Sequence, residues 1–179
     1  KYRVLRYDTR GHGSTEAPEG PYTLEQLAQD VKALLQTLGI SKTHYMGISM
    51  GGMIGQVLAL KYPRMLRSLI LCDTSSRIPE ESLTIWEERI ELAQKKGMDP
   101  LVEPTMERWF TASFRQKPIP VLDKIRGMIR ATSLKGYMGC SRAIMGLNLT
   151  ERLGEIALPT LIVVGEEDPG TPVSASQAI

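Results

Sequence analysis

The sequence is poor in the features that mark secreted, metal-binding or membrane proteins. It has two cysteines in 179 residues, Cys72 and Cys140, which are too few for a disulfide framework and do not have metal-ligand spacing. No apolar run approaches the length of a membrane span, and no basic start with an apolar core suggests an export signal. We therefore expect a cytoplasmic protein with no membrane partner and no bound metal.

The sequence also lacks a strong charge of one sign. Its 22 Lys and Arg residues against 20 Asp and Glu residues give a net charge of +2, and these charges are scattered along the chain. This balance gives no reason to expect a nucleic-acid partner. With 42% hydrophobic and 23% charged residues, the chain has the composition of an ordinary globular protein, of one domain or two small ones.

The most informative motif is Gly47-Ile48-Ser49-Met50-Gly51, which follows a strand-like run and precedes a helix-like one. A strand that reverses sharply into a helix leaves little room for Cβ atoms, and we expect the two flanking glycines to remove them. The motif has the pattern of a nucleophile elbow, with Ser49 as nucleophile and the backbone amide of Met50 as one oxyanion donor. A glycine-rich turn with an incidental serine is the alternative interpretation.

Hydrophobic periodicity predicts strands that alternate with helices. Strands are predicted at residues 2–7, 43–46, 66–72 and 157–164, and helices at 24–38 and 50–62. This alternation is typical of a parallel α/β sheet. The helix at 24–38 begins with a capping box, Thr23-Leu24-Glu25-Gln26.

The alternation breaks after the third strand. Residues 77–153 show helical periodicity and no convincing strand. We predict an α/β core formed by residues 1–76 and 154–179, with 77–153 as a helical cap. The cap would lie over the carboxyl edge of the sheet, where ligands of such sheets bind.

An acid that could orient a catalytic base follows the last predicted strand. Asp168 precedes Pro169 and Gly170, so we expect it to lie on a rigid turn at the same edge as Ser49. Glu166 and Glu167 compete for this role, and a solvated acidic turn is the alternative.

The base is harder to assign. In the order serine, acid, histidine, the base follows the acid, yet no histidine follows Asp168. The two histidines are His12, in a Gly-His-Gly loop, and His44, on the strand before Ser49. We expect both to be structural.

The chain resembles the α/β-hydrolase family along essentially its whole length. Residues 4–13, residues 20–24 and the elbow are more narrowly similar to 3-oxoadipate enol-lactonases. Two segments of the predicted cap, Glu107-Arg108-Trp109-Phe110-Thr111 and Gly136-Tyr137-Met138-Gly139-Cys140, strengthen this resemblance.

The resemblance implies a cofactor-free serine hydrolase that opens a small carboxylated enol-lactone in bacterial aromatic catabolism through an acyl-serine intermediate. Ser49 would attack and Asp168 would orient the base. Trp109 would help to shape the pocket, and Arg108 or Arg142 would pair with the substrate carboxylate. Trp109 and Phe110 could equally form the core of the cap.

The family's first strands with their oxyanion loop, and its last strand with the catalytic histidine, have no counterpart in the sequence. We therefore expect a fragment of a longer gene product that is inactive alone. A general carboxylesterase or carbon–carbon bond hydrolase of the same fold is one alternative function. A non-catalytic ligand-binding member is another. The oligomeric state is left open.

Overall fold

The computed structural model describes residues 2–179, in which three strands form one parallel sheet. The strands are β1 (Thr43–Ile48), β2 (Leu66–Cys72) and β3 (Thr160–Val163), arranged in the order β1-β2-β3. Ile48 pairs with Cys72, and Cys72 pairs with Val163, so the carboxyl ends of the strands lie level at one edge. The predicted parallel sheet is confirmed.

Eight α-helices accompany the sheet in the described residues. They are α1 (Leu24–Thr37), α2 (Met50–Lys61), α3 (Glu80–Lys96), α4 (Val102–Trp109), α5 (Ala112–Arg115), α6 (Pro120–Ala131), α7 (Leu134–Met145) and α8 (Val173–Gln177). Short 3-10 turns lie at Pro63–Met65, Asp99–Leu101 and Thr150–Glu155. No helix in this part of the chain is long and apolar enough to cross a membrane.

The helix α1 begins with the predicted capping box. Thr23 Oγ1 accepts a hydrogen bond from the Gln26 N–H at 3.1 Å, and Gln26 Oε1 accepts one from the Thr23 N–H at 2.9 Å. These bonds satisfy two N–H groups that have no partner inside the helix. The buried face of α1 packs on α2, which in turn packs on β1 and β2. The capping box thus fixes the start of a helix that belongs to the main core, the apolar cluster around α1, α2 and the sheet.

The predicted first strand is wrong, because residues 2–7 form no strand. Tyr2 and Val4 are 84% and 81% exposed, and the Tyr2 ring packs edge-on against His44, with 5.8 Å between ring centroids. A strand needs a neighbour that bonds to its N–H and C=O groups, and β-propensity alone does not supply one. Among the described residues, no strand pairs with this segment.

The strand β3 begins at Thr160, later than the predicted residue 157. Pro159 has no N–H to donate to a ladder, although its carbonyl accepts the Leu69 N–H at 2.9 Å. Strand β1 instead extends beyond the predicted residue 46, because its ladder with β2 continues to Ile48.

The two ends of the segment 77–153, where it leaves the sheet and where it returns, are joined by backbone hydrogen bonds between residues 76–78 and 147–149, which we call the neck. The Ile78 N–H donates to Leu147 O at 3.1 Å, and the Leu149 N–H donates to Ser76 O at 2.7 Å. The neck follows the carboxyl end of β2, so helices α3 to α7 are attached at that edge. Several of these helices share an apolar cluster, the outer cluster, distinct from the main core. Its buried members are Ala93, Met98, Leu101, Val102, Met106, Leu122 and Ile129.

The helix α7 also joins the main core and packs on the loop before α1. The Tyr22 N–H donates to Gly139 O at 3.4 Å, and Cys140 is buried beside the Arg10 carbonyl. Burial raises the pKa of the Cys140 thiol to about 12. Arg10 itself donates two hydrogen bonds of 2.6 Å to Asp30 of α1.

We expect Thr23→Ala to lower the free energy of unfolding by about 1 kcal/mol, because the side-chain acceptor of the capping box is lost. Thr23→Ser keeps that acceptor and should unfold close to the wild type. Urea unfolding followed by circular dichroism measures both variants. Equal losses for Ala and Ser would contradict a role for the hydroxyl.

Candidate active site

Ser49 has an unusual backbone conformation at the junction of β1 and α2. Its φ is 52° and its ψ is −118°, a combination that few residues other than glycine adopt. Such a conformation costs about 1–3 kcal/mol and persists only where the surrounding structure holds it. The turn after β1 is therefore strained at the serine that the motif predicts as nucleophile.

Hydrogen bonds to both of its backbone polar groups hold Ser49 in place. Its N–H donates to Cys72 O at 2.9 Å, which extends the ladder between β1 and β2 by one residue. Its carbonyl accepts the N–H groups of Gly52 at 2.9 Å and Met53 at 3.1 Å. Thr74 Oγ1 also donates to this carbonyl, at 2.8 Å. The neighbouring strand and the new helix thus fix the turn from two sides.

The glycines that the turn needs differ in part from those expected. A Cβ on Gly47 would lie 2.2 Å from the backbone carbon of Gly51, so the first glycine of the motif is required. A Cβ on Gly51 would meet no atom within 4 Å, whereas one on Gly52 would lie 2.7 Å from Thr74 Cβ. The expectation for Gly51 is wrong, because the close approach occurs one residue later, where α2 passes Thr74.

The Ser49 side chain is exposed and does not cap α2. Because α2 begins at Met50, the Met50 N–H has no acceptor within its own helix. The helix dipole adds partial positive charge at this end. The Ser49 hydroxyl, which makes no hydrogen bond in the described residues, therefore lies beside the Met50 N–H, which can donate to a developing negative charge.

Asp168 lies in a turn after β3, and its carboxylate accepts hydrogen bonds from within that turn. Oδ1 accepts the N–H groups of Gly170 at 2.7 Å and Thr171 at 3.0 Å, and Oδ2 accepts the Thr171 hydroxyl at 2.7 Å. The Asp168 N–H donates to Gly165 O at 3.1 Å. The side chain is half-buried, while Glu166 and Glu167 are exposed. Asp168 is thus the most firmly oriented of the three acids.

Ser49 and Asp168 lie at the same edge of the sheet without touching. They follow β1 and β3, whose axes are separated by two strand spacings, about 10 Å. The residues after β2 lie between them and bond to both turns. Asp73 Oδ1 accepts the Gly165 N–H at 2.8 Å, and Thr74 bonds to Ser49. Neither residue is among the predicted site residues, although the polar character of both, directly after a buried strand, was an available signal.

The two histidines contact other groups. His44 Nδ1 lies 2.7 Å from Ser68 Oγ, near the start of β1, and five residues of extended chain place it about 16 Å from Ser49. His12 Nδ1 lies 3.4 Å from Arg10 O and 3.9 Å from Cys140 Sγ. In residues 2–179, no hydrogen bond joins either imidazole to the Ser49 hydroxyl.

Arg108 and Trp109, from the segment predicted to be a cap, lie on α4. Trp109 is 60% exposed and therefore outside the outer cluster, whereas Phe110 packs against that cluster and stacks on Phe114. Within residues 2–179 Arg108 contacts no carboxylate, and it donates to Pro104 O and Thr105 Oγ1, each at 3.0 Å. Burial, together with the nearby Arg89 guanidinium, lowers the pKa of Arg108. Arg108 is thus a half-buried cation without a counter-ion in the described chain.

Arg142, on α7, has a different environment. Its guanidinium is paired with the carboxylate of Glu87 on α3. It also lines a cavity of about 280 Å³ whose walls include Thr23, Val57 and Arg152 but not Ser49. Of the two arginines, Arg108 is the one left available for an external carboxylate.

No group of three or more potential metal ligands occurs within residues 2–179.

Comparisons with known proteins show the family to which this chain belongs. The model of the alpha/beta hydrolase fold family matches residues 1–179. The chain belongs to this family. Over 177 residues, this α/β-hydrolase is 36% identical to 3-oxoadipate enol-lactonase 2 of Acinetobacter baylyi, covering 99% of the chain and 66% of the relative. The chain thus spans slightly less than two thirds of that relative's length.

Two solved structures share both the fold and recognisable sequence. The enol-lactonase of Burkholderia xenovorans LB400 has a TM-score of 0.95 and 37% identity, over 99% of this chain and 67% of that one. A malate-bound thermophilic esterase from Thermogutta terrifontis has a TM-score of 0.87 and 31% identity, over 96% of this chain and 64% of that one. Lactone and ester hydrolases are therefore both among the relatives of this α/β-hydrolase.

We expect Gly47→Ala and Gly52→Ala to lower the free energy of unfolding by at least about 1–3 kcal/mol, because each new methyl group overlaps packed atoms. Gly51→Ala is the matched control within the same turn. It should be neutral or raise the free energy of unfolding by about 0.5–1 kcal/mol, since alanine favours the helix. Thermal and urea unfolding measure all three, and a destabilised Gly51→Ala would contradict this packing.

Proposed function

We propose that this α/β-hydrolase cleaves a small carboxylic ester or lactone through an acyl-serine intermediate, with 3-oxoadipate enol-lactone as substrate. The observation that carries the proposal is the Ser49 hydroxyl, which is exposed, does not cap α2 and lies at a strained turn before that helix. The names of the enol-lactonase relatives supply the substrate.

In the proposed reaction, Ser49 Oγ attacks the lactone carbonyl and transfers its proton to a general base. The carbonyl oxygen becomes an oxyanion, which accepts a hydrogen bond from the Met50 N–H. When the carbonyl re-forms, the bond to the ring oxygen breaks, and that oxygen takes the proton back from the base to become an enol that stays attached to the acyl group on Ser49. Water then hydrolyses the acyl-serine by the same steps and releases the carboxylic acid.

Asp168 is the proposed acid, because an orienting carboxylate must itself be held in position. Its three hydrogen bonds within the turn, of 2.7 to 3.0 Å, provide that rigidity. The separation of about 10 Å between β1 and β3 leaves room for an imidazole between the hydroxyl and the carboxylate. In this proposal, neither His12 nor His44 is that imidazole.

The segment 77–153 is the proposed cap, which would supply the substrate-binding residues. Arg108 would pair with the carboxylate of the lactone, since its guanidinium has no carboxylate partner in the described residues. The exposed ring of Trp109 would form an apolar wall of the pocket. Arg142 is the weaker candidate because Glu87 already neutralises it.

An esterase without preference for a carboxylated substrate is the second candidate. The similarity to the Thermogutta terrifontis esterase favours it. Relative kcat/KM for the enol-lactone and for p-nitrophenyl acetate decides between the two functions. A clear preference for the uncharged ester would support the second.

We expect Ser49→Ala to abolish labelling by a fluorophosphonate probe in the protein expressed from its complete gene. The same variant should lower kcat/KM for the enol-lactone by about 10⁴-fold or more, because the nucleophile is lost. Ser41→Ala, which removes an exposed hydroxyl before β1, serves as the control. Persistent labelling or turnover in Ser49→Ala would exclude the proposed intermediate, and a wild type that never labels would support a non-catalytic member.

We expect Arg108→Gln to raise KM for the carboxylated lactone by about 10- to 100-fold, which corresponds to the loss of a hydrogen bond to a charged group. The KM for p-nitrophenyl acetate should stay unchanged, since that ester carries no carboxylate. Arg142→Gln is the matched control and should leave both constants near the wild type. A larger effect from Arg142→Gln would reverse the assignment.

A further inference from the structure

Asp73 shares an unusual backbone conformation with the nucleophile. Within residues 2–179, Ser49 and Asp73 are the two residues other than glycine that have a positive φ, with values of 52° and 40°. Each directly follows a strand, β1 for Ser49 and β2 for Asp73. Aspartate and asparagine tolerate this region better than most residues do. The end of β2 thus contains a second strained turn beside the first.

The contacts of Asp73 lead to the turn that carries Asp168. Its N–H donates to Val163 O at 2.8 Å, the last carbonyl of β3. Its Oδ1 accepts the Gly165 N–H at 2.8 Å, across a sequence separation of 92 residues. Gly165 O in turn accepts the Asp168 N–H at 3.1 Å. Asp73 therefore holds the point at which residues 165–171, the acid turn, leave the sheet.

Thr74, the next residue, makes a similar contact with the turn at Ser49, on the other side of β2. Thr74 is fully buried, and its hydroxyl donates to the Ser49 carbonyl at 2.8 Å. Two consecutive side chains thus bond to two different turns. The spacing between those turns depends on this short segment after β2.

We propose that Asp73 is a positioning residue for hydrolysis, which acts on Asp168 through Gly165 and, with Thr74, sets the distance between the nucleophile turn and the acid turn. This inference rests on the proposed function, because Asp168 matters to the rate only if it orients the base. The function of Asp73 here is geometric, and its oxygen is needed as a hydrogen-bond acceptor.

Because the contact between Asp73 and Gly165 is exposed, an experiment can distinguish a positioning role of Asp73 from a purely structural one. The hydrogen bond between Gly165 and Asp73 is exposed, so water can replace it when the side chain is removed. Exposed hydrogen bonds contribute little to the free energy of unfolding, because water offers nearly equal partners. Water does not fix the direction of the loop, however. Loss of Asp73 should therefore reduce the rate much more than the stability.

The test compares Asp73→Ala and Asp73→Asn in the protein expressed from its complete gene. Asparagine keeps both the oxygen acceptor and the tolerance of positive φ, but it has no charge. Asp73→Ala should lower kcat by about 10- to 100-fold, as small misplacements of catalytic groups do, with KM unchanged. Asp73→Asn should restore kcat close to the wild type. Hydrogen exchange at Gly165 should be faster in the alanine variant alone.

Ser75→Ala is the matched control, because the Ser75 hydroxyl bonds to Arg77 O within its own segment and reaches neither turn. It should leave kcat and the exchange at Gly165 unchanged. Wild-type kcat in Asp73→Ala, or unchanged exchange at Gly165, would overturn the positioning role. An asparagine variant as slow as the alanine variant would also overturn it, and would make Asp73 an acid in its own right. A wild type that hydrolyses no ester would refute the proposed function instead.

Discussion

The strained backbone at Ser49 is the constraint on which the rest of this structure depends. A residue with φ of 52° and ψ of −118° does not keep that conformation unaided, so its neighbours must hold it. The ladder to β2 restrains its N–H, and α2 together with Thr74 restrains its carbonyl. The packing of α2 on the sheet, and with it the need for small residues at 47 and 52, follows from this turn.

The segment from Cys72 to Ile78 extends the same constraint to the rest of the chain. Its backbone and side chains bond to the turn at Ser49, to the acid turn and to the returning end of the helical segment. A single short stretch after β2 therefore connects three parts of the chain that are distant in sequence. This explains why the groups proposed for chemistry can lie on separate loops and still keep a fixed arrangement.

Local patterns predicted strands β1 and β2, the capping box of α1 and the helix after the elbow, because each of these patterns is formed by neighbouring residues. The alternation of strands with helices then indicated a parallel sheet. The errors arose where a feature depends on distant atoms. Residues 2–7 have strand propensity but no pairing partner in the described sheet. The requirement at Gly52 comes from Thr74, and the contact of Asp73 crosses 92 residues. No local periodicity contains such information.

The separation of the apolar residues into two clusters has a consequence for evolution. The main core surrounds the strained turn, while the outer cluster packs helices of the segment 77–153 largely against one another. Substitutions in the outer cluster can therefore accumulate without disturbing the geometry at Ser49. Selection can change the surface of these helices, which form the proposed cap, while the turn stays constant, and this is a physical basis for divergent specificity on one fold.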